Sequence, residues 1–372
     1  MSERHRQLVE KIIEGVDIKI DGDRPHDIQV HNPQFFTRVL AEGSLGVGES
    51  YMDGWWDCEQ LDEAYGRIFA AGAQTRVPVN AKTLWYLAQA RFLNRQNKKR
   101  AFIPAEVHYD LGNDIFESTF DTRLTGSCGY WKDASDLDSA QDAKHDLICR
   151  KLGLQPGQKV LDIGCGWGAF MKFAAERYGV ECEGVTVSKE QVAWGEERCR
   201  DLPVTFHLKD YREVRGTFDR IVSMGMFEHV GSRNYPVYME TAHRCLADDG
   251  LFLLHTIGSN YTTTNIEPWL DKYIFPNGVL PSLAQLGKAM EKVFVVEDLH
   301  NFGADYDKTL CAWMEKFDDH WPKLAEKYDE RFYRMWRYYL LSCAGAFRGR
   351  WIQLWQLVLS KHGVAGGYTT VR

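Results

Sequence analysis

Between Val160 and Gly168 the chain reads Val-Leu-Asp-Ile-Gly-Cys-Gly-Trp-Gly. An apolar run, a glycine-rich turn and a helix start aim backbone N–H groups and the positive end of a helix at a bound molecule. Gly164, Cys165, Gly166 and Gly168, with Ala169, also satisfy the dinucleotide pattern G-x-G-x-x-G/A, and Glu183 stands where a ribose-binding acid would. Asp162 pulls the other way. A carboxylate two residues before the first glycine repels a pyrophosphate and suits a cationic amino-acid group or a ribose. Asp210-Tyr211 offers an acid and a flat ring to an adenine. Farther along, Glu228 and His255 each follow a predicted strand. That puts an acid and an imidazole at the carboxyl edge of a sheet, where open α/β folds bind ligands.

The elements that must position these groups alternate from Lys159 onward. Val160–Ile163, Glu183–Val187, Val204–Leu208, Arg220–Ser223 and Leu251–Ile257 are short apolar runs separated by helical patterns such as Lys189–Arg200 and Tyr235–Leu246. That order predicts an α/β fold with a doubly wound, mostly parallel sheet. Val293–Asp298 and Ile352–Leu359 bring the strands to seven, with long helical stretches at Lys308–Lys327 and Glu330–Arg348 inserted between them. The amino-terminal part reads as a small, mixed, mainly helical domain. It has a helix at Gln7–Glu14, two alternating stretches in Val16–Val30, and a glycine- and aromatic-rich segment at Ser44–Trp56. The division predicted is 1–79, a helical basic linker 80–100, and a catalytic domain 101–372.

The bulk numbers bound the function. A chain of 372 residues with a net charge of −7 has room for more than one domain and no general attraction for nucleic acid. Nine cysteines without C-x-x-C spacing read as free thiols, with no metal site. The polar start Met-Ser-Glu-Arg-His-Arg and the lack of a long apolar run predict a cytoplasmic protein without a signal peptide or membrane span.

The order Asp-x-Gly-x-Gly-x-Gly, acid, Asp-Tyr resembles class I S-adenosylmethionine-dependent methyltransferases. Five further segments sharpen the likeness: His108–Asn113, Ser127–Trp131, Gly225–Gly231, Leu254–Gly258 and Phe302–Tyr306. With them the chain resembles the cyclopropane-fatty-acyl-phospholipid synthases over nearly its whole length, and more distantly the mycolic acid cyclopropane synthases. The resemblance implies transfer of a methylene from S-adenosylmethionine to the cis double bond of an unsaturated phospholipid acyl chain, closing a cyclopropane ring. The route implied is a carbocation deprotonated by enzyme-bound bicarbonate. It places the bicarbonate and catalytic positions on Cys128, Glu228, His255, Ile257 and Tyr306. In that picture Tyr306 and His255 donate to the anion, backbone near Cys128 and Ile257 completes the cradle, and Glu228 accepts the bicarbonate O–H. The donor positions fall on Ser127, Gly164–Gly166, Thr186, Ser188, Gln191, Tyr211 and Arg212, beside the Asp162, Gly168 and Asp210 read from the residues themselves. One departure is visible. Gly126 stands where the pattern has a tyrosine, so a neighbouring aromatic must replace it.

The chemistry explains such a residue set. An alkene is a poor nucleophile and must be aligned closely with the sulfonium methyl. The cation that follows needs aromatic faces rather than nucleophiles around it. Tyr130, Trp131, Phe227, Trp269, Tyr273 and Phe275 are the candidates. The family also implies a homodimer working at the inner leaflet of the cell membrane. Trp85, Tyr86, Phe92 and Leu93 near Arg91, Arg95, Lys98, Lys99 and Arg100 would suit an anionic membrane surface. Two other readings stay open at this level: a lipid methyltransferase that leaves a methyl-branched or methylene chain, and a lipid-binding protein on a vestigial fold.

Overall fold

In the computed structural model the described residues are 2–76 and 112–372. The predicted basic helix at 80–100 and most of the segment His108–Asn113 lie outside them. Contacts divide the chain into two compact units. One comprises 1–93, 265–276 and 306–352, the other 94–264, 277–305 and 353–372. This is a different partition from 1–79, 80–100 and 101–372, because residues 265–276 and 306–352 pack with the amino-terminal helices.

In the first unit, strands β1 (Gln29–Val30) and β2 (Trp56–Asp57) form a two-residue antiparallel pair among helices. The expected alternating stretches in Val16–Val30 reduce to one bridge, Ile20 to Ile28, and the two residues of β1. A side chain replaces the ladder there. The buried Asp27 carboxylate accepts from the N–H groups of Lys19 and Arg24 and from the Arg24 guanidinium, so the loop closes on Asp27. The segment Ser44–Trp56 forms a helix over Ser44–Met52. Its glycines serve close packing. A Cβ on Gly48 would lie 2.4 Å from the Trp269 indole. The long helix Glu330–Arg348 approaches Leu61–Ala70 the same way, a Cβ on Gly345 falling 2.4 Å from that of Tyr65.

The second unit is built on a seven-stranded sheet. Its strands are β3 (Lys159–Ile163), β4 (Glu181–Thr186), β5 (Val204–Leu208), β6 (Phe218–Met224), β7 (Leu246–Ser259), β8 (Val295–Asn301) and β9 (Ile352–Ser360). Their spatial order is β5-β4-β3-β6-β7-β9-β8. The pairs from β5 to β7 are parallel and β8 runs antiparallel to β9. All seven predicted strands are present. The chain leaves β3 toward one edge and returns to β6 on the other side of it, so the carboxyl ends of β3 and β6 flank the switch point where such sheets bind ligands.

Alternation along the strands sorts side chains onto two faces. Leu161, Ile163, Ile221, Phe252 and Leu254 enter one core, with Tyr238, Ala242 and Met290. Val160, Val222, Leu251, Leu253 and Val358 enter the other, with Ile148 and Leu152 from the helix Leu137–Leu152 and Phe170 from Ala169–Tyr178. By parity Asp162, His255 and Gln356 belong to this second face.

Candidate active site

The glycine loop makes the β3-to-helix turn with Gly164, Gly166 and Gly168 all at positive φ, which other residues adopt at a cost of roughly 1–2 kcal/mol each. Gly164 and Gly168 are also constrained by packing. A Cβ would meet Met226 and Phe206 respectively, each at 2.4 Å. Gly166 differs, since nothing among the described residues lies within 4 Å of its Cβ direction. The loop N–H groups are less available than the sequence pattern implied. Gly164 and Cys165 both donate to the Val185 carbonyl, at 2.9 and 3.1 Å, and Gly168 donates to Cys165. Val185 lies on the adjacent parallel strand, so the sheet itself takes those donors. What remains is the backbone at Gly166 and the acid at the strand tip.

Asp162 is that acid. It is fully buried, and neither carboxylate oxygen has a hydrogen-bond partner among the described residues. Burial pushes its carboxyl up to about 7, and the Lys144 ammonium opposes the rise. An unpartnered buried carboxylate beside a glycine turn fits a cationic ligand group. Around it, Thr186 donates to Gln191 Oε1 at 2.6 Å, and Ser188 caps the helix Lys189–Arg198 through Gln191 N–H. Tyr211 is buried with its hydroxyl unpartnered among the described residues, and the Arg212 guanidinium lies 5.1 Å over its ring. Asp210 is less free than expected. Arg212 engages it with its N–H, Nε and Nη2 at 3.0, 2.7 and 2.9 Å. These residues fit S-adenosylmethionine, whose amino group would face Asp162 and whose adenosine would lie toward Tyr211.

A second set of buried polar groups includes Glu228 and His255. Glu228 sits in a short turn, Phe227–His229, after β6. Its Oε1 accepts from Ile257 N–H at 2.6 Å, while its buried Oε2 has no partner among the described residues. Burial raises this carboxyl to about 7. His255 pairs with Met224 across β6 and β7, and its carbonyl accepts from Gly225 N–H at 3.0 Å. His255 and Ile257 point to one face of β7, so the bond from Ile257 brings Glu228 beside the histidine's strand. Burial, with Lys144 and Lys151 nearby, holds the imidazole well below its ordinary range and therefore neutral. Its Nε2 is buried without a partner among the described residues.

Cys128 is fully buried and its thiol donates to the Gly129 carbonyl at 3.1 Å. The neighbouring Ser127 hydroxyl accepts from Lys144 Nζ at 2.8 Å. Lys144 interacts with the charges of Cys128, Asp162 and Asp121, and burial drives its ammonium down to about 8. One lysine thus lies between the donor residues and the catalytic set. Gly126 lies against Phe120, whose ring is 3.2 Å from the Cβ position, so Phe120 occupies the neighbourhood where the pattern has a tyrosine.

Tyr306 stands in the other unit, buried and stacked on Phe347 with ring centroids 4.5 Å apart. Trp269, Tyr273 and Phe275 belong to that unit too. Phe227 is a core ring stacked on Tyr235 at 4.2 Å. Tyr130 packs edge-on to Phe302, which in turn lies 5.9 Å from the His255 ring. Phe302 as a ring beside the histidine escaped the sequence reading, as did Lys144, Lys151 and Gln356. The helix carrying both lysines had a usable signal: a capping box from Asp136 to Ser139 and a left-handed Gly153 at its end. Gln356, inside an apolar strand, had none.

Residues 96–357 match the family model for mycolic acid cyclopropane synthetase. A cyclopropane-fatty-acyl-phospholipid synthase of Escherichia coli is 53% identical over 366 residues, covering 98% of this chain and 96% of the relative. A probable fatty acid methyltransferase of Pseudomonas putida is 35% identical over 281 residues, 72% of this chain and 71% of that protein. The crystal structure of a mycolic acid cyclopropane synthase complexed with SAH and CTAB superposes with a TM-score of 0.65 at 33% identity, covering 70% of this chain and 98% of that one. On its sheet order, its donor loop and these matches, the chain belongs to the mycolic acid cyclopropane synthetase family and is an S-adenosylmethionine-dependent methyltransferase.

Proposed function

We propose that this enzyme converts the cis double bond of a phospholipid acyl chain into a cyclopropane ring, with bicarbonate held in the site as the proton acceptor. The observation that carries the reading is the two unsatisfied buried atoms Glu228 Oε2, in the turn after β6, and His255 Nε2, within the neighbouring strand β7. An acceptor and a neutral imidazole together match an anion that still bears one O–H. When bound, S-adenosylmethionine supplies a methyl electrophile on a sulfonium. Asp162 holds its cationic amino group and so fixes where the methyl points. The alkene π pair forms the new C–C bond to the methyl carbon as its bond to sulfur breaks, S-adenosylhomocysteine leaves with that electron pair, and a cation remains on the acyl chain. In this reading buried apolar surroundings keep water from it, and the rings of Tyr130 and Phe302, packed edge-on to each other beside His255, face it without attacking. Loss of one methyl proton to the acceptor held by Glu228, His255, Cys128 and Ile257 closes the ring. The balance is one CH2 gained by the lipid and one proton released.

The test is incubation with labelled S-adenosylmethionine and unsaturated phospholipid vesicles, followed by mass analysis of the acyl chains. A gain of one CH2 with loss of the olefin is expected. A product that keeps a double bond, or a saturated methyl branch formed with a reductant, favours the alternative lipid methyltransferase. Among the described residues no helix is long and apolar enough to cross a membrane, so the acyl chain must be reached from the surface. The basic cluster Lys98, Lys99 and Arg100, outside the described residues, serves that purpose in this reading, and the amino-terminal region docks lipid or pairs two copies as a homodimer. Neutralising those three residues is expected to weaken binding to anionic vesicles at low salt by roughly 1 kcal/mol per charge. Unchanged co-sedimentation would remove the cluster from the account.

A further inference from the structure

His255 is held from behind by a chain of buried polar groups. Gln356, on β9, places its side-chain amide 3.2 Å from His255 Nδ1. The other end of that amide accepts from Lys151 Nζ at 2.9 Å. Lys151 also reaches His300 Nδ1, at 3.0 Å, on the strand beyond, where His300 and Gln356 are register partners. Lys151, Gln356 and His255 are all buried, and all face the same side of the sheet. The bonds from Lys151 to Gln356 and from Gln356 to His255 are buried, and the bond from Lys151 to His300 is part-buried.

The polarity of this chain is determined from its far end. Burial pushes the Lys151 ammonium down to about 7, so it carries its charge below that pH, and in that form it can only donate. Its partner on Gln356 must therefore be the carbonyl Oε1, which turns the amide NH2 toward His255. Nδ1 then has to accept, and a neutral imidazole that accepts at Nδ1 carries its proton on Nε2. The remaining charged and titratable neighbours agree. His300 accepts from the same ammonium and is pushed down to about 4 by burial. Asp298 lies 3.9 Å from Lys151 and is itself engaged by Arg372 at 2.5 and 2.8 Å, so it balances the charge without taking the Lys151 protons meant for Gln356.

We infer that Lys151 and Gln356 are positioning residues that hold His255 in the Nε2–H tautomer, so that the nitrogen facing the reaction centre is a hydrogen-bond donor. The inference rests on the reading of His255 as a donor to a bound anion. It adds what makes it a donor: a lysine two links away on another element. Lys144, two turns earlier on the same helix, addresses Ser127, so one helix orients side chains of both the donor and the catalytic sets.

The test reads the tautomer directly, in full-length protein labelled with 15N-histidine, with the His255 signals assigned by their loss in His255→Ala. In the wild type, Nε2 is expected to be the protonated nitrogen. Gln356→Glu is nearly the same size but accepts at both ends, so it should move the proton to Nδ1 or protonate both nitrogens. Lys151→Met should leave a mixture of tautomers. Both variants should lose turnover by about 10- to 100-fold, as with residues that orient a metal-bound imidazole from behind, with the KM for S-adenosylmethionine unchanged. An Nδ1–H tautomer in the wild type overturns the inference whether or not Gln356→Glu and Lys151→Met fold. So does an unmoved tautomer in folded Gln356→Glu. A tautomer that moves as expected while turnover and bicarbonate dependence stay at wild-type values supports the chain and instead removes His255 from the anion site.

Discussion

Glu228→Gln is expected to lower turnover by roughly 100-fold while leaving the affinity for S-adenosylmethionine near wild type. The substitution is a polarity change rather than a deletion. The glutamine carbonyl can still accept the 2.6 Å bond from Ile257 N–H, so the turn after β6 keeps its anchor. The second oxygen, buried and unpartnered among the described residues, becomes an NH2. A group meant to accept the O–H of a bound anion then presents hydrogens to it. The anion binds less tightly and in the wrong orientation, so added bicarbonate should restore part of the rate. His255→Ala should act in the same direction by deleting the donor. The double variant should be little worse than either single one, because both changes disable one ligand site. The measurement is steady-state turnover with labelled donor across a bicarbonate series. Wild-type rates in both single variants would mean that the proton acceptor lies elsewhere.

Asp162→Asn should make the protein more stable and a poorer enzyme. Asp162 is fully buried without a hydrogen-bond partner among the described residues, and burial raises its carboxyl to about 7. A carboxyl raised on folding contributes its full stability below the ordinary value near 4 and loses it as pH rises through about 7. The wild type should therefore fall behind the asparagine variant progressively between about pH 4 and pH 7. At about 1.4 kcal/mol per pH unit, the gap can reach roughly 4 kcal/mol. The variant keeps the shape and loses the charge, so it has nothing to titrate. Urea unfolding at pH 5 and pH 8 reads the difference, and a gap that is constant with pH would sink the argument. The same variant should bind donor about 10- to 100-fold more weakly, the worth of one hydrogen bond to a charged group. Saturating donor should correspondingly narrow the stability gap, because a ligand that pairs with Asp162 offsets the cost of burying it.

Much of this was legible in the chain. The strands were readable because β3, β4, β6 and β7 carry apolar runs buried in the parallel part of the sheet, with helices of ordinary signals between them, while the largely exposed β8 pairs antiparallel with the apolar run of β9. The Asp162–Gly168 loop and the acid after β6 were readable because a strand end fixes its next residues at the ligand-binding edge, whereas His255, expected past the end of its strand, lies within β7, which runs on to Ser259. The amino-terminal region was harder. Gly46 and Gly48, in a segment read only as rich in glycine and aromatics, lie inside a helix, and at Gly48 a tryptophan 221 residues away in sequence needs the space of the missing Cβ.

The sequence by itself determined the sheet, the donor loop and the residue types gathered at its carboxyl edge, because strand periodicity and the order of elements are local properties. Tertiary structure decided which of those groups are satisfied and which are left to meet a ligand. Gly164 and Cys165 lose their N–H groups to Val185, Asp210 is taken by Arg212, and Asp162, Glu228 Oε2 and His255 Nε2 have no partner among the described residues. It also decided the protonation pattern, since the bond from Lys151 through Gln356 to His255 joins residues 205 and 101 positions apart. Hydrogen-bond satisfaction depends on what lies within about 3 Å in space, and no local pattern in the chain records that.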